Sequence, residues 1–127
     1  MNGFGDKPNM RIREKNAMTV TVNLYYTGKN GSAAEFVREM ISSGTVEKIR
    51  AEEGNLKYDY FVKMDDPETV LLIDSWKSQA ALDAHHKSPM MKKIAELRDK
   101  YDLHMKVERY SSDEFGLPNG DARYIRK

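Results

Sequence analysis

The sequence predicts an α+β domain, one antiparallel four-stranded sheet with helices on a single face. Three observations carry that expectation. Two-residue alternation marks four strands, helical spacing of apolar residues marks the segments between them, and the elements follow the order β-α-β-β-α-β. At 127 residues there is enough chain for a single core.

Thr19 to Thr27 reads as the first strand, with Val20, Val22, Leu24 and Tyr26 on one face and Thr19, Thr21, Asn23 and Tyr25 on the other. Gly28 to Gly31 is a turn, and Ser32 stands three residues before Glu35, the spacing of a capping box. Ala33, Phe36, Val37, Met40 and Ile41 then form an apolar stripe at helical spacing. Gly44 is placed to interrupt that helix, and Gly54 to end its continuation. Leu56 to Met64 is the second strand, Asp65 to Glu68 a turn, and Val70 to Trp76 the third strand, which together make a hairpin. Ser78 caps a short helix. Ser88 caps another, with Pro89 in its first turn, where a missing N–H costs nothing. The second of these carries Met90, Met91, Ile94, Leu97 and Tyr101, and the fourth strand runs from about Tyr101 to Tyr110.

That order is the ferredoxin-like arrangement. Its helices cover one face only, yet the second and third strands are apolar or aromatic on both. A second copy of the chain is the simplest cover for the open face, so a homodimer is expected. Residues 1–17 are polar and unpatterned and read as a mobile leader or a segment held by something else. Residues 18–112 form the domain. Residues 113–127, with Phe115, Tyr124 and Ile125, read as an extension packing on the body or on the dimer partner.

Composition excludes several classes. There are no cysteines, so disulfides, thiolate nucleophiles and Cys-based metal centres are out. The net charge is +1 with both signs interspersed, which gives no footprint for nucleic acid or an anionic membrane. The longest apolar run, Val70 to Ile73, falls far short of the roughly 20 residues of a membrane helix. The N-terminus has no secretory pattern, and a cytoplasmic location is expected.

The stretch Glu52-Glu53-Gly54-Asn55-Leu56-Lys57-Tyr58-Asp59 leads into the hairpin. Trp76-Lys77-Ser78, Ala81-Leu82-Asp83-Ala84-His85 and Ser88-Pro89 follow it in order. Together they resemble the antibiotic biosynthesis monooxygenase-like family, whose members are dimeric α/β barrels, over roughly residues 18 to 112. The resemblance implies a pocket between sheet and helices. It also implies, in many members, oxidation by O2 with no cofactor. Triplet oxygen reacts readily only with electron donors such as a deprotonated quinol or phenol, so the protein need only bind the substrate, move a proton and exclude water.

The resemblance implies a substrate-holding role for Asn23, which matches an asparagine of oxidising members. His85 follows Leu82 and Ala81 at helical spacing and is the candidate proton acceptor. Tyr58, Tyr60, Trp76 and Met90 are candidate pocket walls for a flat aromatic substrate. Asp59 and Asp74 are strand carboxylates that serve equally as bases or as surface charge. His86 points away from His85 and His104 lies on a polar strand side, so no metal site is expected. Haem-degrading members carry an axial histidine about ten residues beyond the position matched by His85. Ala95 stands there, which speaks against haem ligation of that kind. The leading expectation is thus a cofactor-independent monooxygenase for a small quinol or phenol. An isomerase of a small carbonyl or phosphorylated metabolite and a non-catalytic dimeric binding module are the alternatives.

Overall fold

β1 (Val20–Thr27) and β3 (Asp66–Trp76) lie side by side at the centre of the sheet, β2 (Asn55–Lys63) pairs with the outer side of β3, and β4 (His104–Ser111) with that of β1. All three pairings are antiparallel, in the order β2-β3-β1-β4. The structure, a computed structural model, describes residues 18–113, 116 and 119–127. The expected leader, residues 1–17, and Phe115 lie outside the described residues.

Sequence alternation becomes sheet geometry directly. Val20, Leu24 and Tyr26 of β1 and Val70, Leu72 and Trp76 of β3 are buried under the helices. Asn23 and Tyr25, set between them, face the other side, where their register partners are Ile73 and Leu71. The helical layer consists of α1 (Ser32–Ser42), α2 (Thr45–Arg50), α3 (Gln79–His86) and α4 (Met90–Lys100). Phe36, Met40, Val46, Ile49, Leu82, Ile94 and Leu97 from these helices complete one hydrophobic cluster with the sheet. A further short helix, α5 (Asn119–Ala122), follows the domain, and Tyr124 and Ile125 beyond it are exposed on this chain.

Ser78 caps α3 as expected, accepting the Ala81 N–H at 3.1 Å. The other two caps differ from expectation. Gly31, at φ 81°, takes the cap position of α1, so Ser32 is already helical and its Oγ accepts the Lys29 N–H instead. Pro89 stands at the cap of α4, and the Ser88 hydroxyl is buried without a hydrogen-bond partner. The hairpin turn also moves. β3 begins at Asp66, and a register shift between Val62 and Lys63 absorbs the difference. Gly44, at φ 77°, separates α1 from α2. Gly54, at φ 84°, lets the loop before β2 lie against α3, because a Cβ there would stand 2.6 Å from the Ala81 methyl. Among the described residues no helix is long and apolar enough to cross a membrane.

Candidate active site

Between the helix-facing side of the sheet and helices α3 and α4 lies a cavity of about 330 Å³. Leu24 and Leu72 on the sheet and Met91 and Ile94 on α4 supply apolar wall. Val107 and Met105 continue it on edge strand β4, where both are about half exposed. Polar side chains enter from distinct elements: Asp74 from β3, Tyr58 from β2, His85 and Gln79 from α3, Arg98 from α4 and Arg109 from β4. A mostly apolar hollow with a few converging polar groups is the usual form of a small-molecule site.

His85 is the most constrained of these groups. It is only 2% exposed, its ring stacks on the Trp76 indole at a centroid distance of 4.7 Å, and Nδ1 lies 2.7 Å from Glu52 Oε1. With a carboxylate as acceptor, Nδ1 carries the proton, and the neutral ring keeps Nε2 as its free acceptor. Trp76 in turn donates Nε1–H to Asp74 Oδ1 at 2.5 Å. One indole therefore ties together the imidazole and the carboxyl of the cavity.

Asp74 is buried on an otherwise apolar face. Burial raises its pKa to about 6, opposed by the Trp76 N–H and by the neighbouring His85 and Arg98, and reinforced by Glu52. The sign of the linkage follows. The unfolded carboxyl titrates near 3.9 and the folded one near 6, so between these values the folded state binds more protons and stability falls as pH rises. Asp74→Asn, which cannot ionise and keeps an acceptor for Trp76, should therefore be more stable than the natural protein by about 2–3 kcal/mol at neutral pH. The difference should vanish below about pH 4. Urea unfolding at both pH values measures it, and equal stability at neutral pH would show that the charge is not held at a cost. Tyr58 and Tyr26 are likewise raised by burial, and Tyr26 Oη accepts two N–H bonds from Arg98, at 3.2 and 2.7 Å. Those bonds fix Arg98 at the cavity.

The structure brings together some of the residues singled out from sequence and separates others. His85 and Tyr58 line the cavity. Trp76 is fully buried behind His85, and Tyr60 stands edge-on behind Tyr58 at 5.7 Å, so both brace the wall without lining it. Met90 faces a separate shallow groove with Ser43, Thr45, Lys48 and Lys93. Asn23 is on the opposite face of the sheet, one residue out of phase with Val22 and Leu24, its Oδ1 buried without a hydrogen-bond partner. Strand alternation forbids it from reaching His85 without a change of register. His86 flanks His85 and also lines the cavity, and His104 is exposed on the open face. Among the described residues no cluster of three or more His, Cys, Asp or Glu is placed to hold a metal ion.

Residues 19–97 match the model of the family described as antibiotic biosynthesis monooxygenase. The chain belongs to that family. Putative monooxygenase YcnE of Bacillus subtilis (strain 168) is 32% identical over 69 residues, which cover 54% of this chain and 70% of that one. Among solved structures, a Bacteroides thetaiotaomicron protein of unknown function, described as a possible oxidoreductase, superposes with a TM-score of 0.67 at 16% identity, covering 76% of this chain and 99% of its own. A putative antibiotic biosynthesis monooxygenase from Deinococcus radiodurans does so with a TM-score of 0.63 at 17% identity, covering 76% and 94%. At these identities the likeness carries the fold. The family member described here thus has the ferredoxin-like sheet, with its cavity on the helix side.

Proposed function

We propose that this protein oxidises a small quinol or phenol with molecular oxygen and without a bound cofactor, in the cavity beside His85. The observation that carries this reading is the buried His85, held by the partly exposed Glu52 carboxylate, at the wall of an apolar hollow. Deprotonation turns a phenol into an electron donor that O2 can attack, and a wall of Leu, Ile, Val and Met keeps water from the resulting anion. His85 takes the proton, and Glu52 positions the imidazole and balances its charge once protonated. For a hydroquinone the balance closes. One oxygen atom enters the ring, the other leaves as water, and the substrate supplies four electrons, two in ring hydroxylation and two in passing from quinol to quinone.

Oxygen uptake with a panel of reduced quinones and phenols tests the reading. Uptake with stoichiometric hydroxyquinone formation is the expected result. Turnover of a carbonyl or phosphorylated metabolite under strict exclusion of oxygen would instead support the isomerase alternative.

The proposal includes a homodimer built through the open sheet face. Phe61 and Tyr110 are about half exposed there, Leu71 and Ile73 lie between them, and Tyr25, Phe61, Thr69 and Leu71 line a shallow apolar hollow. Light scattering at micromolar concentration should return twice the chain mass, and Phe61→Asp should shift the mass toward the monomer. A monomer for the natural chain would end this part of the proposal.

A further inference from the structure

Among the described residues that line the cavity, Asp74 is the one carboxylate, and its position is unusual. It sits on the central strand β3 between Leu72 and Trp76 on the helix-facing side, 6% exposed, where packing alone would favour an aliphatic side chain. Charged and titratable groups face it from every element around it: His85 from α3, Arg98 from α4, Tyr26 from β1, Tyr58 and Tyr60 from β2, and Glu52 from the segment between α2 and β2. Arg109 of β4 lines the same cavity. Trp76 satisfies Asp74 Oδ1.

We propose that Asp74 is a second catalytic acid–base residue of this cavity, receiving the hydroxyl proton of a bound aromatic compound, so that the preferred substrates carry two ionisable hydroxyls, one for Asp74 on the sheet and one for His85 on the helix. This deepens the oxidation reading and rests on it for the substrate class. Asp74 forms part of the sheet floor and His85 part of the helical roof of the same cavity, so one bound aromatic compound with two hydroxyls can present one to each. In the step itself, the substrate O–H bond breaks, the electron pair stays on the phenolate oxygen, and the proton forms the O–H of the Asp74 carboxylic acid. Asp74 then returns that proton to the oxygen atom that leaves as water. Its upward-shifted pKa, about 6, suits a group that must both take and return a proton near neutrality.

Binding of hydroquinone and of its dimethyl ether, measured without oxygen through the fluorescence of Trp76, tests the role. The chain has a single tryptophan. Well above pH 6 the natural protein should bind hydroquinone about tenfold or more tightly than the ether, which has no proton to give. Asp74→Asn should lose most of that preference. In the natural protein and in His85→Gln alike, the part of the preference due to Asp74 should fade as pH drops through about 6, a measurement that holds even if Asp74→Asn does not fold. The same preference and pH dependence in Asp74→Asn, no such fading in the natural protein and His85→Gln, or no binding of hydroquinone by the natural protein, would overturn the role of Asp74. Oxygen uptake by the natural protein separates the two ideas. Uptake with an unchanged preference in Asp74→Asn sinks the inference and leaves the oxidation reading. A lost preference with no uptake sinks the oxidation reading and leaves Asp74 as the proton acceptor.

Discussion

Trp76→Ala should destabilise the protein by about 3–5 kcal/mol, the usual cost of removing a large aromatic from a closed core. Trp76 is the bulkiest side chain with no exposed surface, at the end of β3, where Val20 and Asn55 are its register partners on the two neighbouring strands. Two further losses add to the cavity. Asp74 Oδ1 loses its N–H donor, which costs about 1–3 kcal/mol for a buried group left without a partner, and His85 loses the surface it stacks on. Trp76→Phe separates these contributions, since it restores much of the packing and none of the hydrogen bond. Its cost should be smaller than that of alanine and should shrink at low pH, where Asp74 is protonated. Urea unfolding followed by circular dichroism measures both, the tryptophan signal being gone. A loss under about 1 kcal/mol for Trp76→Ala would contradict the packed indole.

Much of the fold was legible because the strands that matter alternate cleanly. Val20, Val22, Leu24 and Tyr26 identify the inner face of β1, and the same count applied to β3 puts Val70, Leu72, Asp74 and Trp76 on one side. That count also decides between the two strand carboxylates that sequence left equal. Asp74 is in phase with Leu72 and Trp76 and is buried, whereas Asp59 is in phase with the open face and pairs with Arg50. Arg98 and Arg109 are visible by the same logic. Arg98 continues the Met91 and Ile94 stripe of α4, and Arg109 continues the Met105 and Val107 alternation of β4. A charge on an apolar stripe is a signal worth reading. Glu52 gave no such signal, because nothing local to a loop after α2 says that it will meet a histidine 33 residues later. Asn23 differs for the opposite reason. Its place in the resemblance drew it into the site, while its phase in the strand puts it on the other face of the sheet.

The polar residues that line the cavity are thus the same residues that break the pattern of the core. A leucine at position 74 and an apolar side chain at position 85 would pack under the helices without any polar group to satisfy. The observed chain instead buries a carboxyl and an imidazole joined through one indole, the imidazole also held by the partly exposed Glu52. Such an arrangement is expected where function and stability compete, and it explains why the stabilising substitution at Asp74 falls inside the site and not on the surface.

His85→Ala should lower kcat by about 10²–10⁴ with little change in KM, the range associated with loss of a positioned acid–base group. The ring is buried, held by Glu52 at Nδ1 and by stacking on Trp76, so its orientation is fixed before substrate arrives. A group held in this way contributes to the proton-transfer step far more than to binding, which the apolar walls supply. Alanine also leaves a hole the size of the imidazole beside the cavity. Added imidazole should therefore restore part of the lost activity in His85→Ala and none in the natural protein, an effect that a packing role for His85 would not produce. Glu52→Gln keeps an acceptor for Nδ1–H and removes the balancing charge. It should cost less than His85→Ala, because Glu52 acts only through the ring that it positions. Oxygen uptake over a range of quinol concentrations gives kcat and KM for all three proteins. A KM that rises while kcat holds in His85→Ala, or a failure of imidazole to rescue, would make His85 part of the binding wall and leave proton removal to Asp74.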